Sequence, residues 1–334
     1  MSISTTTAQQ PVDSPFSAAS TAEDVMAGAD LTGRTAVVTG GYSGLGLETV
    51  RALAAAGARV IVPARRPEAA REALAGLRGG PCEVVPMDLT DLGSVRAAAA
   101  HIRETAGRVD LLMAVAGVMV TPERRVGPGW EYQLTANHFG HFVLVSELYP
   151  LLRAAQGARV VVYSSGAHGI TDFRWHDPHF RTGYDRWQAY GQAKTANVLF
   201  AVHLDALGRD DGVRAFALHP GSIITGLQRE LTHREQVGLG WVDEQGTVIG
   251  DGFKSPSQGA ATGLWAATSP LLAGRGGIYL EDCEVARVPE EDEPKGDGWV
   301  RRYAVDPVSA ARLWELSVAA TGSGPVRQGL SGGS

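Results

Sequence analysis

The chain has 334 residues, of which 44% are hydrophobic and 20% are charged. This composition is typical of a folded globular protein and argues against intrinsic disorder. Thirty basic and 36 acidic side chains give a formal net charge of −6, which is the wrong sign for a non-specific nucleic-acid binder.

The two ends of the chain differ in character from the middle. Residues 1–19 are rich in Ser, Thr, Ala and Pro without periodicity, and we expect a flexible tail there. Ser20 and Glu23 fit a capping box, which predicts a short helix directly after this tail. We expect a single domain over residues 20–320 and a second flexible tail over residues 321–334.

From residue 35 onward, short apolar segments alternate with helical patterns. The predicted strands are Thr35–Thr39, Arg59–Val62, Glu83–Val85, Leu111–Val115, Arg159–Tyr163, Arg214–Leu218 and Ile278–Leu280. The predicted helices cover 44–56, 67–77, 91–106, 130–155, 187–208 and 257–267. Most strands are apolar on both faces, as in a buried parallel sheet. The alternation predicts a Rossmann-like α/β fold, with a doubly wound parallel sheet of seven strands and helices on both faces.

Two segments exceed the usual length of a connection. Residues 226–256 are punctuated by six glycines, and we predict that they form a mobile lid over a largely apolar substrate. Residues 281–297 hold eight acidic and two basic side chains, which predicts a solvated acidic loop, with an acidic interaction surface as the alternative.

The first predicted strand runs into a glycine-rich turn, Thr39-Gly40-Gly41-Tyr42-Ser43-Gly44-Leu45-Gly46, and then into a helix. Glycines permit a tight turn and let a pyrophosphate approach the helix N-terminus, where free N–H groups and the helix dipole favour anions. A merely tight turn is the alternative. The position of the turn after the first strand of an alternating pattern favours a dinucleotide site.

A second pattern lies at the start of the helix predicted over 187–208. Tyr190 and Lys194 are four residues apart and therefore share one helix face. A lysine cation beside a phenol lowers the pKa of the phenol, which makes it a usable proton donor and acceptor. The same spacing also occurs by chance in many helices.

The glycine turn and the Tyr–Lys pair together resemble the short-chain dehydrogenase/reductase family. The turn matches the family pattern Thr-Gly-x-x-x-Gly-x-Gly, and Tyr190 and Lys194 match its Tyr-x-x-x-Lys pattern. Asn137 and Ser165 resemble the family's catalytic Asn and Ser. The resemblance extends from about Leu31 to Leu316 and implies a catalytic set of Asn137, Ser165, Tyr190 and Lys194.

Further motifs resemble the branch that contains the retinol dehydrogenases and the WW-domain-containing oxidoreductases. They are the Asn-His-x-Gly-His-Phe run at 137–142, Ala196-Asn197, and Gly277-Ile278-Tyr279 followed by Cys283. The chain departs from the family at Ala114-Val115, where the family has Asn-Asn. Any hydrogen bonds of those amides must be absent or replaced here.

The resemblance also implies how the catalytic residues act. Tyr190 would protonate the developing alkoxide while Ser165 donates a hydrogen bond to the same oxygen. Lys194 would lower the pKa of Tyr190 and bind the nicotinamide ribose, and Asn137 would hold a water that links Lys194 to solvent.

The same resemblance implies a dinucleotide site. Its expected residues are Gly40, Tyr42, Ser43, Gly44, Leu45, Gly46, Arg65, Arg66, Asp88, Leu89, Ala116, Gly117, Tyr190, Lys194, Pro220, Gly221, Ile223 and Thr225. Arg65 and Arg66 follow the second strand, where an acidic residue favours NAD and a basic residue favours NADP. We therefore expect NADP(H) in preference to NAD(H). The alternative is that these arginines are surface charges unrelated to the cofactor.

These observations predict an NADP-dependent oxidoreductase that interconverts a carbonyl and an alcohol on a small, apolar molecule. The alternatives are a catalytically silent dinucleotide sensor on the same fold and a sugar-nucleotide epimerase or dehydratase. Cys82 and Cys283 match no metal spacing, and no apolar segment is long enough to span a membrane. We expect no metal, no nucleic-acid or membrane partner, a cytoplasmic location, and pairing as a homodimer through the helices at 130–155 and 187–208.

Overall fold

The computed structural model describes residues 9–250, 252–290 and 298–324. The strands are β1 (Thr35–Thr39), β2 (Arg59–Ala64), β3 (Cys82–Pro86), β4 (Leu111–Ala114), β5 (Arg125–Val126), β6 (Trp130–Glu131), β7 (Arg159–Tyr163), β8 (Arg214–His219), β9 (Ile278–Glu281) and β10 (Glu284–Val285). The helices are α1 (Ala22–Met26), α2 (Gly44–Ala55), α3 (Pro67–Leu74), α4 (Leu92–Thr105), α5 (Tyr132–Leu134), α6 (Gly140–Ala154), α7 (Arg186–Gly208), α8 (His233–Gly238), α9 (Pro256–Thr268) and α10 (Pro307–Thr321). Within these described ranges, no helix is both long enough and apolar enough to cross a membrane.

A single central sheet has the strand order β10-β9-β8-β7-β4-β1-β2-β3. All neighbours in it are parallel except β9 and β10. Successive side chains of β1 lie on opposite faces of the sheet. Val37 packs in the core that includes α4 and α6, and Val38 packs in the core that includes α2 and α9. The predicted doubly wound architecture is therefore confirmed, because both faces of the sheet are apolar and covered by helices.

The predicted number of seven strands is wrong, since the sheet has eight. The additional strand, β10, follows a two-residue turn at Asp282 and Cys283, which have φ angles of 53° and 59°. A two-residue strand carries no detectable alternation, and neither turn residue is the glycine that normally marks such a hairpin. The predicted acidic loop therefore begins as a hairpin, and its residues 291–297 lie outside the described residues.

The N-terminal segment expected to be a loose tail is ordered from residue 9 onward, where it lies against the sheet edge. The Gln9 side chain donates to the carbonyl of Tyr279 at 3.0 Å and accepts from the Tyr279 N–H at 2.8 Å. The Gln9 side chain thus bonds the backbone of β9 as a neighbouring strand would. The sequence shows no periodicity that would predict this contact. The capping box also lies one residue later than expected, at Thr21 and Asp24. Residues 1–8 and 325–334 are outside the described residues.

Helix α10, which the sequence analysis missed, packs on α6 and α7. The ring of Trp314 lies 4.9 Å from the ring of Phe142 on α6 and 5.9 Å from that of Phe200 on α7. These two helices carry the surface that we expected to pair with a second copy of the chain. The chain's own C-terminal helix packs against part of that surface.

Candidate active site

The carboxyl ends of β1, β2, β3 and β4 border a cleft of about 360 Å³. Of the expected cofactor residues, those that line it are Gly40, Tyr42, Ser43, Gly44, Leu45, Gly46, Arg65, Arg66, Asp88, Leu89, Ala116, Gly117 and Thr225. The other five expected residues do not line it: Tyr190 and Lys194 lie on α7, and Pro220, Gly221 and Ile223 follow β8. Clefts at this edge of a doubly wound sheet are its usual ligand sites.

The glycines of the turn let α2 begin directly against β1. A Cβ atom on Gly46 would lie 2.2 Å from the carbonyl oxygen of Gly40, so no side chain fits there. Gly40 and Gly44 have φ angles of +67° and +50°, which favour glycine. Ser43, the N-cap residue of α2, makes no side-chain capping bond. The first N–H groups of α2 are thus left without a side-chain cap, as an anion-binding helix end requires.

The four expected catalytic residues come from three elements. Asn137 lies in a π-helical turn at residues 135–139 between α5 and α6. Ser165 follows β7, its hydroxyl accepts from the N–H of Ala167 at 3.1 Å, and its side chain lies beside the phenol of Tyr190 on α7. The Lys194 ammonium is 5.6 Å from the centroid of the Tyr190 ring. The structure therefore brings all four residues together.

Gly117 is the point where the cleft meets these residues. A Cβ atom at this position would lie 2.7 Å from Oδ1 of Asn137 and 3.6 Å from Nζ of Lys194. The Asn137 side chain is held by the backbone of Val118, accepting from its N–H at 2.9 Å and donating to its carbonyl at 3.0 Å. Lys194 donates to the carbonyl of Tyr163 at 3.0 Å. A ligand in the cleft at Gly117 can therefore reach Asn137 and Lys194.

Burial controls the electrostatics of the Tyr–Lys pair. It raises the pKa of Tyr190 to about 12, against the smaller opposing effect of the Ser165 hydrogen bond. It lowers the pKa of Lys194 to about 8, because the charged form is poorly solvated. Desolvation is the dominant influence on the pKa of Tyr190, and the expected lowering of that pKa by Lys194 stays a prediction. At neutral pH Tyr190 is a protonated phenol, which suits a proton donor.

Thr39 and His141 replace hydrogen bonds that Ala114-Val115 cannot make. The N–H of Ala116 donates to Oγ1 of Thr39 at 3.1 Å, and this hydroxyl lies 2.9 Å from Nε2 of His141. Nδ1 of His141 lies 3.0 Å from the carbonyl oxygen of Asn137. Burial lowers the pKa of His141 to about 4, so the ring is neutral. Its Nδ1–H therefore donates to Asn137, and its Nε2 accepts from Thr39.

This chain of bonds connects the glycine turn to Asn137, and sequence reasoning had assigned His141 no role. The only signal was its place in the Asn-His-x-Gly-His-Phe run.

The structure also shows the contacts of two residues expected to bind the cofactor, Asp88 and Arg66. Asp88 accepts from the N–H and hydroxyl of Thr90 at 2.9 and 2.7 Å. Arg66 is exposed at the rim of the cleft, 5.9 Å from the ring centroid of Tyr42.

The surroundings of Tyr190 on the side of the 226–256 segment are apolar. Tyr190 packs in a cluster with Met119, Val120 and Leu231. The ring of Trp241 borders this cluster and lies 6.5 Å from that of Trp187. Two of these residues, Leu231 and Trp241, belong to the predicted lid. The structure therefore places part of the 226–256 segment in the apolar cluster around Tyr190.

The 226–256 segment is attached at its base. Lys254 donates its N–H to the carbonyl of Ser222 at 2.8 Å, and its ammonium pairs with Asp282 in the β9–β10 turn. Gly221 has a φ of +91°, and a Cβ atom there would lie 2.7 Å from Cδ of Lys254. The glycine thus lets the two ends of the segment meet.

Comparisons with known proteins agree with this site. Residues 34–236 match the family described as short chain dehydrogenase. The chain is 48% identical to a probable oxidoreductase of Streptomyces lividans, over 86% of this chain and 97% of that protein. It is 34% identical to mouse retinol dehydrogenase 12 over 86% of each chain. The NADP active-site complex of Pseudomonas aeruginosa RhlG has a similar structure, with a TM-score of 0.59 and 26% identity over 75% of this chain and 95% of that one. The chain therefore belongs to the short-chain dehydrogenase/reductase family, in its retinol dehydrogenase-like branch.

Proposed function

We propose that this oxidoreductase uses NADP(H) to reduce a ketone or aldehyde group on an apolar small molecule, or to oxidise the corresponding alcohol. The observation that carries the proposal is that Gly117, which lines the cleft, lies beside Asn137 and Lys194, and that the Lys194 ammonium lies 5.6 Å from the centroid of the Tyr190 ring. A catalytically silent dinucleotide sensor would need the cleft but not the four expected catalytic side chains.

The residues that line the cleft fit a dinucleotide. The uncapped start of α2 and the glycine turn would hold the pyrophosphate, and Asp88 would lie at the adenine. Arg65 and Arg66 would hold the 2′-phosphate, because a guanidinium binds phosphate through paired hydrogen bonds. The NADP complex of the similar RhlG structure supports this choice of cofactor. When present, the nicotinamide supplies or accepts the hydride.

The protein's own part of the reaction is proton transfer and orientation. Tyr190, protonated at neutral pH, donates its proton to the oxygen of a carbonyl substrate, and Ser165 donates a hydrogen bond to the same oxygen. Lys194, whose ammonium lies 5.6 Å from the centroid of the Tyr190 ring, and Asn137, which like Lys194 lies beside Gly117, would relay the replacement proton. The apolar cluster around Tyr190 excludes water and favours an apolar substrate.

Pairing as a homodimer through α6 and α7 stays a prediction, and α10 packs on both helices through Trp314. The proposal includes a cytoplasmic location. Cys82 and Cys283 are free thiols, as expected in a reducing compartment.

The test is the loss of NADPH absorbance in the presence of a panel of apolar ketones and aldehydes. The proposal requires steady oxidation of NADPH with at least one carbonyl, and a slower reaction with NADH. Tight binding of NADPH without turnover on any member of a broad panel would instead identify the sensor.

A further inference from the structure

Arg229 lies on the wall of the cleft that faces the glycine turn, and the sequence analysis gave it no role. It belongs to a short 3-10 turn, Gly226–Glu230, which Thr225 caps through a bond to the N–H of Leu227 at 3.2 Å. The side chain of Arg229 lines the same cleft as Gly44, and it donates to the carbonyl of Gly226 at 2.5 Å. This turn is the first part of the 226–256 segment.

The two walls of the cleft approach each other closely at this point. A Cβ atom on Gly44, the first residue of α2, would lie 3.3 Å from Cγ2 of Thr225. Gly226 follows Thr225 in the chain, and a Cβ atom on Gly226 would lie 3.9 Å from Nη1 of Arg229. The guanidinium and the start of α2 therefore lie on facing sides of one cleft, linked through the adjacent residues Thr225 and Gly226.

The charge of Arg229 is not neutralised by its neighbours. Among the residues that the structure describes, no carboxylate forms an ion pair with it. The adjacent Glu230 pairs with Arg124 at 3.1 Å, and Glu235 pairs with Arg186. The cleft therefore has two unsatisfied positive features on opposite walls, the guanidinium and the uncapped N-terminus of α2.

We infer that Arg229 binds the pyrophosphate of the dinucleotide from the lid side, opposite α2. The inference rests on the proposed function, because it requires a dinucleotide in this cleft. It differs from the role of Arg65 and Arg66, since the pyrophosphate is common to NADP(H) and NAD(H) and the 2′-phosphate is not. Arg229 would also tie the first turn of the 226–256 segment to the cofactor, so that cofactor binding orders the segment before substrate enters.

The test compares Arg229→Gln with Arg65→Gln in equilibrium titrations of NADPH and of NADH, followed by nucleotide fluorescence. We expect Arg229→Gln to weaken the binding of both nucleotides by a similar factor of about 10 to 150, the range for one hydrogen bond to a charged group. Arg65→Gln should weaken only NADPH. The affinity of Arg229→Gln should also depend less on salt than that of the wild type.

A second variant separates charge from structure. Arg229→Lys keeps the cation but loses the planar fork, so it should bind both nucleotides with an affinity between those of the wild type and Arg229→Gln. A purely structural role, through the bond to Gly226, would lower the Tm of the nucleotide-free variants and leave the salt dependence of binding unchanged. That pattern would overturn the inference.

The other outcomes are equally distinct. Unchanged affinity of Arg229→Gln for both nucleotides overturns the inference and leaves the proposed function standing. Weakening of NADPH alone also overturns it, because it would place Arg229 at the 2′-phosphate. A wild-type protein that binds neither nucleotide overturns both the inference and the proposed function.

Discussion

At the residue scale, the proposed choice between NADP and NAD depends on Arg65 and Arg66. Both are exposed and both line the cleft where β2 ends. The first acidic residue after β2 is Glu68, on α3, and it pairs with Arg71 at 3.4 Å. The positive charge at the rim of the cleft thus remains available for a phosphate.

Replacing Arg65 therefore gives a direct prediction. Arg65→Gln should raise KM for NADPH by about 10- to 150-fold and leave KM for NADH nearly unchanged, because only NADPH has the 2′-phosphate. Steady-state kinetics with both cofactors measure this. Arg71→Gln is the matched control, since Arg71 is exposed on α3 but does not line the cleft. Equal use of NADH and NADPH by the wild type would contradict the assignment.

The four proposed catalytic residues could be singled out from the sequence because each lies in a short motif of fixed spacing. His141 and Arg229 could not be assigned roles in the same way. The role of His141 depends on its contact with Thr39, which is distant in the chain, combined with a local bond to the carbonyl of Asn137 four residues earlier. The role inferred for Arg229 depends on the approach of two cleft walls. Such juxtapositions are set by tertiary structure and leave no local pattern.

At the element scale, strands buried on both faces were predictable because each is a continuous apolar run. The two-residue strand β10 was not, because it has no run, and its turn uses Asp282 and Cys283 in place of glycine. Helix α10 did carry a start signal that sequence reasoning overlooked. Asp306 is its N-cap, and Pro307 occupies its first position, a typical combination.

The 226–256 segment combines attached ends with an exposed middle. Lys254 holds its end through Ser222 and Asp282, and Arg186 pairs with Glu235 on α8. Between these points Ile249 is 55% exposed. An element with few buried contacts opens at low free energy, which a lid requires.

Hydrogen exchange measures that opening. We predict that exchange in the segment slows when NADPH binds and slows further when substrate is added, because both ligands contact its inner face. Helix α9, whose buried residues include Trp265, is the internal control and should not change. Equal exchange in the free and liganded protein would rule out a lid.

At the scale of the whole molecule, buried histidines link stability to pH. Burial lowers the pKa of His141 and His168 to about 4 and that of His138 and His219 to about 3. Unfolded histidines bind protons near pH 6.5, so below that pH the unfolded state binds more protons than the folded state. Burial also raises the pKa of Glu131 to about 7. This shift makes the folded state bind more protons than the unfolded state, and it offsets part of the effect of the four histidines.

The free energy of unfolding should therefore fall as the pH decreases from about 6.5 towards about 5, by up to roughly 1.4 kcal/mol per pH unit for each such histidine. Urea unfolding at several pH values in this window measures the effect. His233→Gln, at an exposed position, is the control and should leave the pH dependence unchanged. A stability that is constant over the window would contradict the prediction.

The central claim is that Tyr190 delivers the proton during turnover, and Tyr190→Phe tests it most directly. This change removes only the hydroxyl from a buried ring, so NADPH should bind with nearly wild-type affinity in a fluorescence titration. The kcat for NADPH oxidation with a good carbonyl substrate should fall by at least about 100-fold, the usual effect of losing a general acid. A Tyr190→Phe protein that keeps the wild-type kcat would contradict the account.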